Sequence, residues 1–204
     1  MAVRRRGRKV QVERNRELLL AAARGVFLAR GYHGSTLEAI AAEAGFSKGV
    51  VYSQFESKAD LFLALLDERI AERAAENERG VREAGGGAAA VAALCALGRR
   101  RAQRETDWNL LLLEFRAQAA REPALNERYA KAHARAIDGI AGLLTRMFEA
   151  AGVEPARPPE LLAKFLLAIT SGVNLENLVA PGSLPTDAVV ELLERTLGLG
   201  AETT

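Results

Sequence analysis

The chain has few of the residues that usually carry chemistry at a fixed site. Its 204 residues include one cysteine and two histidines, and its histidine, cysteine and acidic residues show no metal-site spacing. It also lacks a glycine-rich phosphate loop, and no nucleophile has a base at a suitable spacing. The sequence therefore indicates no catalytic residue, no metal, no cofactor and no enzyme.

Long apolar runs and cysteine pairs are scarce as well. No uninterrupted apolar run reaches the roughly 18–20 residues of a membrane span, and the basic N-terminus lacks the apolar core of a signal peptide. The single cysteine, Cys95, cannot form an internal disulfide, which indicates a reducing compartment. We expect a cytoplasmic protein with no membrane partner.

Aromatic residues make up only 5% of the chain, whereas Ala, Leu, Arg and Glu are abundant. This composition favours helices, and no strand-like alternation of useful length is present. Helical periodicity and the positions of proline and glycine predict an all-α fold of about nine helices. The predicted helices cover residues 14–30, 36–44, 47–54, 58–84, 88–104, 106–121, 123–151, 159–179 and 185–197.

Basic residues are concentrated at the N-terminal end. Up to Lys58 there are 11 Lys and Arg against five Asp and Glu, and beyond it there are 17 against 21. A basic head on an acidic body suits a polyanion that binds at one end only. Residues 1–12 are charged and aperiodic, which predicts a flexible basic arm that either contacts the polyanion or only aids solubility.

Serine residues mark the starts of three consecutive helices. Ser35 and Glu38 have the spacing of a capping box that opens one helix, which Gly45 ends. Ser47 caps a short helix after it, and Ser57 caps the longer helix that follows. Two short helices joined by a glycine-containing turn predict a helix-turn-helix, which lays its second, recognition helix in the DNA major groove.

The short second helix carries small and polar residues. Lys48, Tyr52 and Ser53 offer groups that can reach phosphates or base edges. Gly49 costs a helix about 1 kcal/mol relative to Ala, a cost that makes sense if a larger side chain would collide with the groove. For Phe55 and the capping serines we favour structural roles in the core and at helix ends.

The segment 36–61 resembles the TetR family of bacterial transcriptional regulators. It contains, in order and at fixed spacing, Thr, Ile-Ala, Ala-Gly-x-Ser-x-Gly, x-x-Tyr-x-x-Phe, x-x-Lys and x-x-Leu. Residues 19–32 match the family's first helix, whereas Gln54 and Ala59 differ from the residues common there. The resemblance implies phosphate contacts by Thr36, Tyr52 and Lys58, and groove contacts by Ser47, Lys48, Gly49, Val50 and Ser53.

The same resemblance implies a three-helix DNA-binding domain followed by a helical ligand-binding and dimerisation domain. We assign residues 13–58 to the first, 59–84 to a connecting helix and 85–204 to the second, because three glycines at 85–87 form the clearest break in the chain. The implied partners are a double-stranded DNA operator, a small-molecule effector and a second copy of the chain.

Polar residues on otherwise apolar helix faces are candidates for the effector site. His133 interrupts an apolar stripe on the helix 123–151 and is either a hydrogen-bonded core residue or a ligand contact. Arg116 either pairs with an anionic ligand or with a neighbouring acid. A cleft between helices would suit a small molecule. The candidate contacts are Trp108, Leu112, Phe115, Arg116, Tyr129, His133, Ile137, Met147, Asn174 and Glu176.

The last two long helices have more apolar surface than one small core needs. We expect two helices from each subunit to form a four-helix dimer interface, close-packed at Gly172. The expected interface residues are Leu162, Phe165, Leu166, Ile169, Gly172, Val173, Val189 and Leu193.

These elements together predict a transcriptional regulator, acting as a repressor, that binds a palindromic operator as a dimer and is released by a small molecule. The alternatives are a DNA-binding regulator that needs no ligand and a helical module that docks a protein partner. Either alternative predicts a C-terminal half without a ligand cavity.

Overall fold

The structure, a computed structural model, describes residues 2–85, 87–185, 187–189 and 191–192. These residues contain helices and turns and no strand. Short helical stretches at 187–189 and 191–192 lie within the last predicted helix. The all-α prediction is confirmed. Within the described ranges the helices with defined bounds are α1 (Ala2–Arg30), α2 (Leu37–Glu43), α3 (Lys48–Tyr52), α4 (Lys58–Ala84), α5 (Gly87–Arg104), α6 (Thr106–Ala119), α7 (Pro123–Ala151) and α8 (Pro159–Val179).

Two helix starts differ from the prediction. Helix α1 begins at Ala2, so an irregular arm over residues 2–12 was wrong; the segment has no proline and consists largely of good helix formers. Helix α2 is capped by Thr36, whose Oγ1 accepts the Ala39 N–H at 3.1 Å. Ser35 is not the cap, because it is buried and donates to the Gly31 carbonyl at 2.7 Å.

The chain forms two compact units that are not continuous in sequence. The first comprises Met1–Arg69 and Leu110–Ala132, and the second comprises Ile70–Asn109 and His133–Thr204. This division differs from the linear one suggested by the glycine run, because the segment Leu110–Ala132 groups with the N-terminal helices rather than with the other C-terminal residues.

The core of the first unit is aromatic at its centre. Phe27 of α1 meets Phe62 of α4 edge to face at 5.5 Å, and Phe62 stacks on Phe115 of α6 at 4.2 Å. Tyr32 packs against all three rings, and burial raises its pKa to about 12. Burial of each such side chain stabilises the fold by about 1.5–3 kcal/mol, so this cluster anchors the N-terminal helices.

The second unit has two smaller apolar clusters. In one, Ile137 and Phe148 of α7 pack with Leu162 and Ala163 of α8. The other joins Ala90 of α5 to α7. Ion pairs connect the helices at the surface, among them Arg101–Glu76 at 2.8 Å and Arg146–Glu78 at 3.0 Å.

Helix α8 is apolar but little covered within one chain. Its buried residues are Leu162 and Ala163, whereas Phe165, Ile169 and Val179 are exposed. Among the described residues it is the one helix long and apolar enough to cross a membrane by length and composition, with a mean hydropathy of 1.2. The expectation from the sequence concerned uninterrupted apolar runs only, and α8 meets the criterion although polar residues interrupt it. By itself this criterion is weak evidence for a span.

Candidate nucleic-acid interface

A tight turn fixes α3 against α2. Gly45 adopts φ +72°, a left-handed conformation that favours glycine, and the Phe46 N–H donates to the Ala41 carbonyl at 2.8 Å. The inner faces of the two helices are apolar and buried. Their buried residues are Leu37, Ile40, Ala41 and Val51.

The outer face of α3 carries most of the predicted DNA contacts. Ser47 is the N-cap residue, as predicted, although its side chain makes no capping hydrogen bond. Val50 is half-buried. The predicted contacts that are exposed on or beside α3 are Ser47, Lys48, Gly49, Tyr52 and Ser53.

Nothing described in the chain requires a glycine at position 49. A Cβ there would have Ser47 Oγ as its nearest neighbour, at 3.9 Å, which is an ordinary contact. The backbone of Gly49 does not have a positive φ. Neither crowding nor backbone strain explains the residue, so the surface it leaves open can admit an outside partner close to the α3 backbone.

Glu38 of α2 links two of the exposed α3 side chains. Its Oε1 lies 2.7 Å from Lys48 Nζ and accepts the Tyr52 hydroxyl at 3.1 Å. The Lys48 ammonium is also 5.5 Å from the centroid of the Tyr52 ring. The hydrogen bond from Lys48 is the main cause that lowers the pKa of Glu38 to about 2, and it raises the pKa of Lys48. We call Glu38, Lys48 and Tyr52 the Glu38 cluster.

The other two predicted phosphate contacts have roles within the chain. Thr36 is exposed and caps α2, and its hydroxyl proton is still available to a phosphate. Lys58 Nζ donates to the carbonyls of Tyr32 at 2.6 Å and Ser35 at 2.9 Å, and burial lowers its pKa. These bonds favour a positioning role for Lys58, and its phosphate contact stays a prediction.

The turn that Lys58 holds is also held from α6. Glu114 Oε2 accepts the N–H of Tyr32 at 2.7 Å and that of His33 at 3.4 Å. Gly31 has φ +70°, and a Cβ there would lie 2.8 Å from both carboxylate oxygens of Glu114. Glu114 and Lys58, which we call the turn clamp, therefore bind the amide and the carbonyl of Tyr32 from two helices.

The end of the α3 segment is tied to α1. Gln54 Nε2 donates to the Val12 carbonyl at 3.1 Å. The Arg16 guanidinium lies 4.8 Å from the centroid of the Phe55 ring, close enough for a cation–π contact. Phe55 is 3% exposed, which confirms its predicted place in the core.

The predicted effector contacts are divided between the two units. Leu112, Phe115, Arg116 and Tyr129 belong to the first unit, and the others belong to the second. Within the first unit, Phe115 and Tyr129 meet edge to face at 5.8 Å, and the Arg116 guanidinium lies 5.9 Å from the Tyr129 ring. Burial raises the pKa of Tyr129. Phe115 is fully buried in the aromatic core, and its role as an effector contact stays a prediction.

In the second unit the predicted effector contacts differ in how deeply they are buried. Ile137 and Met147 are buried in the two apolar clusters, and their roles as effector contacts stay predictions. Trp108 is buried, His133 and Asn174 are half-buried, and Glu176 is exposed.

An open groove in the second unit lies between α4 and α5. It has a volume of 470 Å³, and its lining includes Glu76, Arg79, Glu83 and Arg100. None of the predicted effector contacts lines it. The rest of the lining is apolar or glycine (Gly80, Ala84, Ala93, Ala96 and Leu97), so the groove is of mixed polarity, whereas a mostly apolar cleft is expected for a small molecule.

The predicted dimer residues that lie on α8 separate into two faces of this helix. Leu162 is buried against α7 and Leu166 packs beside it, so Leu162 faces its own chain and its assignment to the interface was wrong. Val173 and Val189 are half-buried, and Leu193 lies outside the described residues. The exposed face, which we call the α8 stripe, consists of Leu161, Phe165, Ile169, Gly172 and Leu175.

Two family models match the chain. One, described as bacterial regulatory proteins of the tetR family, matches residues 19–65, which contain α2 and α3. The other, the C-terminal part of BetI-type transcriptional repressors, matches residues 87–199, more than half of the chain. The chain belongs to the TetR family of bacterial regulatory proteins. The resemblance seen in the sequence is confirmed.

Similarity to individual TetR-type regulators is highest over short segments. The transcriptional activator FasR of Mycolicibacterium smegmatis is 44% identical over 66 residues, which are 32% of this chain and 30% of FasR. The repressor BepR of Brucella suis is 43% identical over 58 residues, 28% of each chain. The chain thus matches less than a third of the length of either. The repressor AcnR of Corynebacterium glutamicum is 25% identical over 186 residues, 90% of this chain and 92% of AcnR.

Solved structures share the fold over most of the chain. FadR from Bacillus subtilis, in complex with stearoyl-CoA, has a TM-score of 0.70 at 18% identity and covers 88% of this chain and 98% of its own. GusR from Salmonella enterica has a TM-score of 0.70 at 25% identity and covers 90% and 95%.

Sequence reasoning missed three contacts that shape the surface of this TetR-family protein. It took Glu38 only as part of a capping box, although placing the first turn of α2 beside α3 would have paired it with Lys48. The bond from Gln54 to the Val12 carbonyl was missed because residues 1–12 were expected to form a flexible arm, whereas α1 includes Val12. Glu114 lies 82 residues from Tyr32, and no local pattern predicts that contact.

Proposed function

We propose that this TetR-family protein is a cytoplasmic transcriptional repressor that binds a roughly palindromic DNA operator. The observation that carries the proposal is Gly49, a glycine on an exposed helix with no internal reason to be one. Lys48, Tyr52 and Ser53 lie beside it and offer donors for phosphates and base edges. A repressor also agrees with the BetI-type model and with the similarity to AcnR over most of both chains.

The α8 stripe supports a homodimer. Phe165 is 56% exposed and Ile169 is 36% exposed in the single chain, and beyond the adjacent residues and the backbone of its own helix no described atom lies within 4 Å of a Cβ built at Gly172. A second α8 packed at this stripe would bury these residues. A two-fold dimer presents two recognition helices to half-sites about 34–36 Å or somewhat more apart.

A small-molecule effector bound by the C-terminal part is the third element of the proposal. The related fold of FadR holds stearoyl-CoA, which supports an effector without identifying it here. Arg116, Phe115 and Tyr129 are predicted contacts that lie close together. An effector that favours a conformation with a different spacing of recognition helices would weaken operator binding by about 1–3 kcal/mol of coupling.

The DNA-binding proposal is tested first by charge removal. The wild-type protein is used to select a sequence from a random duplex library, and we call the product the selected duplex. We expect Lys48→Ala and Tyr52→Ala each to raise the Kd for it about tenfold and leave the dimer intact. Lys131→Ala is the matched control, because Lys48 and Lys131 side chains are 66% and 67% exposed and both pair with a glutamate. Equal Kd values for Lys48→Ala and Lys131→Ala, or failure to select any sequence, would refute the proposal.

Gly49→Ala separates recognition from folding. Because the site has room for a Cβ, this substitution should stabilise the fold by about 0.5–1 kcal/mol. It should also weaken binding to the selected duplex, since the added methyl group stands where DNA approaches. A more stable protein with unchanged affinity would show that α3 does not enter a groove.

The effector is tested by a thermal-shift screen of apolar metabolites and drugs. A compound that raises Tm and releases the selected duplex supports the proposal. A screen without any compound that does both favours a regulator that needs no ligand.

A further inference from the structure

The Glu38 cluster places a carboxylate beside Lys48 and Tyr52, two of the predicted DNA contacts. The side chains of Lys48 and Glu38 are 66% and 46% exposed, and Tyr52 is 44% exposed. A single oxygen, Glu38 Oε1, takes both the Lys48 ammonium and the Tyr52 hydroxyl. A phosphate oxygen would use the same two donors.

The fold does not need this cluster to hold α3 in place. Each helix already buries an apolar side chain, Ile40 on α2 and Val51 on α3, and the backbone bond from Phe46 to Ala41 fixes the turn between them. An ion pair exposed to this extent contributes little to stability, because water and salt screen it. The Lys48–Glu38 pair therefore matters for what binds at this surface more than for the stability of the fold.

We propose that Glu38 is an internal substitute for a DNA phosphate. Lys48 and Tyr52 must break their bonds to Glu38 before they can bind DNA. Glu38 thereby lowers the affinity of the recognition helix for DNA in general. The inference rests on the proposed DNA-binding function.

Displacement, rather than protonation, must open the cluster. The pKa of Glu38 is lowered to about 2, mainly by the hydrogen bond from Lys48, so the carboxylate stays ionised throughout the neutral range. A competing anion can take the two donors, and a row of phosphates supplies such anions at high local density. After the exchange the freed carboxylate lies near those phosphates and repels them, which adds to its effect on affinity.

A helix-dipole role is the simpler alternative for Glu38. The residue lies in the first turn of α2, where a negative charge stabilises a helix. That role does not depend on Lys48. The two readings therefore differ in whether the effect of Glu38 on DNA affinity needs the lysine.

The test is a double-mutant cycle on DNA binding. Kd values are measured for wild type, Glu38→Gln, Lys48→Ala and the double variant, with the selected duplex and with a shuffled duplex of the same composition. Glu43→Gln is the matched control, since Glu43 is another exposed glutamate on α2. We expect Glu38→Gln to lower Kd about two- to fivefold per recognition helix on both duplexes. When Lys48 is alanine the gain should shrink to the smaller part that comes from Tyr52 and from repulsion of phosphates by the carboxylate, and Glu43→Gln should change Kd less than twofold.

Two results would overturn the inference. One is an unchanged or higher Kd for Glu38→Gln, which would make Glu38 an orienting residue or a DNA contact. The other is a gain that is undiminished with Lys48→Ala or is matched by Glu43→Gln, which would reduce the effect to general charge. In either case, binding of wild type to the selected duplex would still stand, so failure of this inference is distinct from failure of the proposed function.

Discussion

Helices α3 and α8 both expose a face to solvent, and the two faces differ in chemistry. The face of α3 is polar, and its lysine and tyrosine are bonded to a carboxylate of the same chain. The α8 stripe consists of apolar residues and a glycine, and Phe165 is its most exposed large member at 56%. A polar face already bonded within the chain is stable in water, whereas an apolar stripe of this length is typical of a surface that another molecule buries.

The contrast indicates what each face binds. A charged partner can exchange with the internal carboxylate at α3, so binding there is reversible and sensitive to salt. An apolar partner at α8 gains by removing surface from water, at about 25 cal/mol per Å². A transient DNA contact and a lasting subunit contact are the uses that fit these two chemistries.

The largest expected effect comes from placing charge on the α8 stripe. The double substitution Phe165→Asp and Ile169→Asp should give a monomer in sedimentation analysis and raise the Kd for the selected duplex on the order of 100-fold, because the second half-site no longer adds to binding. Both residues are exposed in the single chain, so the fold should persist. Thr170→Asp, at an exposed position of α8 more than a quarter of a turn from every stripe residue, is the control. A dimer that survives the double substitution would place the interface elsewhere.

The turn clamp tests whether the α3 face is positioned from behind. Glu114→Ala removes the acceptor for the N–H groups of Tyr32 and His33. A hydrogen bond to a charged group contributes about 1.5–3 kcal/mol, and we expect a loss of that size in urea unfolding, together with weaker binding to the selected duplex. Glu127→Ala is the control, because that glutamate is exposed in a surface pair with Lys131. If Glu114→Ala unfolds like Glu127→Ala, the clamp does not hold the turn.

The sequence predicted the two faces unequally well. Local signals placed α2 and α3, because caps, glycines and family residues occur close together in that segment. They also selected Phe165 and Ile169, which are exposed and whose place in a dimer interface stays a prediction, but helical periodicity could not tell the face toward the chain's own core from the exposed face. Leu162 was therefore assigned to the wrong face. The long-range contact of Glu114 could not be predicted at all, since it depends on how α6 packs.

Deletion of residues 2–9 tests how far the polar face extends. The segment contains five basic residues and is helical as part of α1. We expect the truncated protein to bind the selected duplex about tenfold more weakly, with a shallower dependence of log Kd on log salt, since each lost phosphate contact reduces the slope by about 0.9. Titrations at several salt concentrations measure both. An unchanged slope would show that the segment does not touch DNA and that the polar face ends near α3.

The smallest expected effect concerns the bond between Gln54 and α1. Gln54→Ala removes the donor to the Val12 carbonyl at one end of the α3 segment. An exposed neutral hydrogen bond contributes at the low end of about 0.5–1.5 kcal/mol, so the Kd for the selected duplex should rise about two- to threefold. Gln118→Ala is the matched control, because Gln118 also donates through an exposed side-chain amide, to Glu122. Equal Kd values for the two variants would mean that the core contacts of Val51 and Phe55 alone position α3, and that the bond to α1 adds nothing to DNA binding.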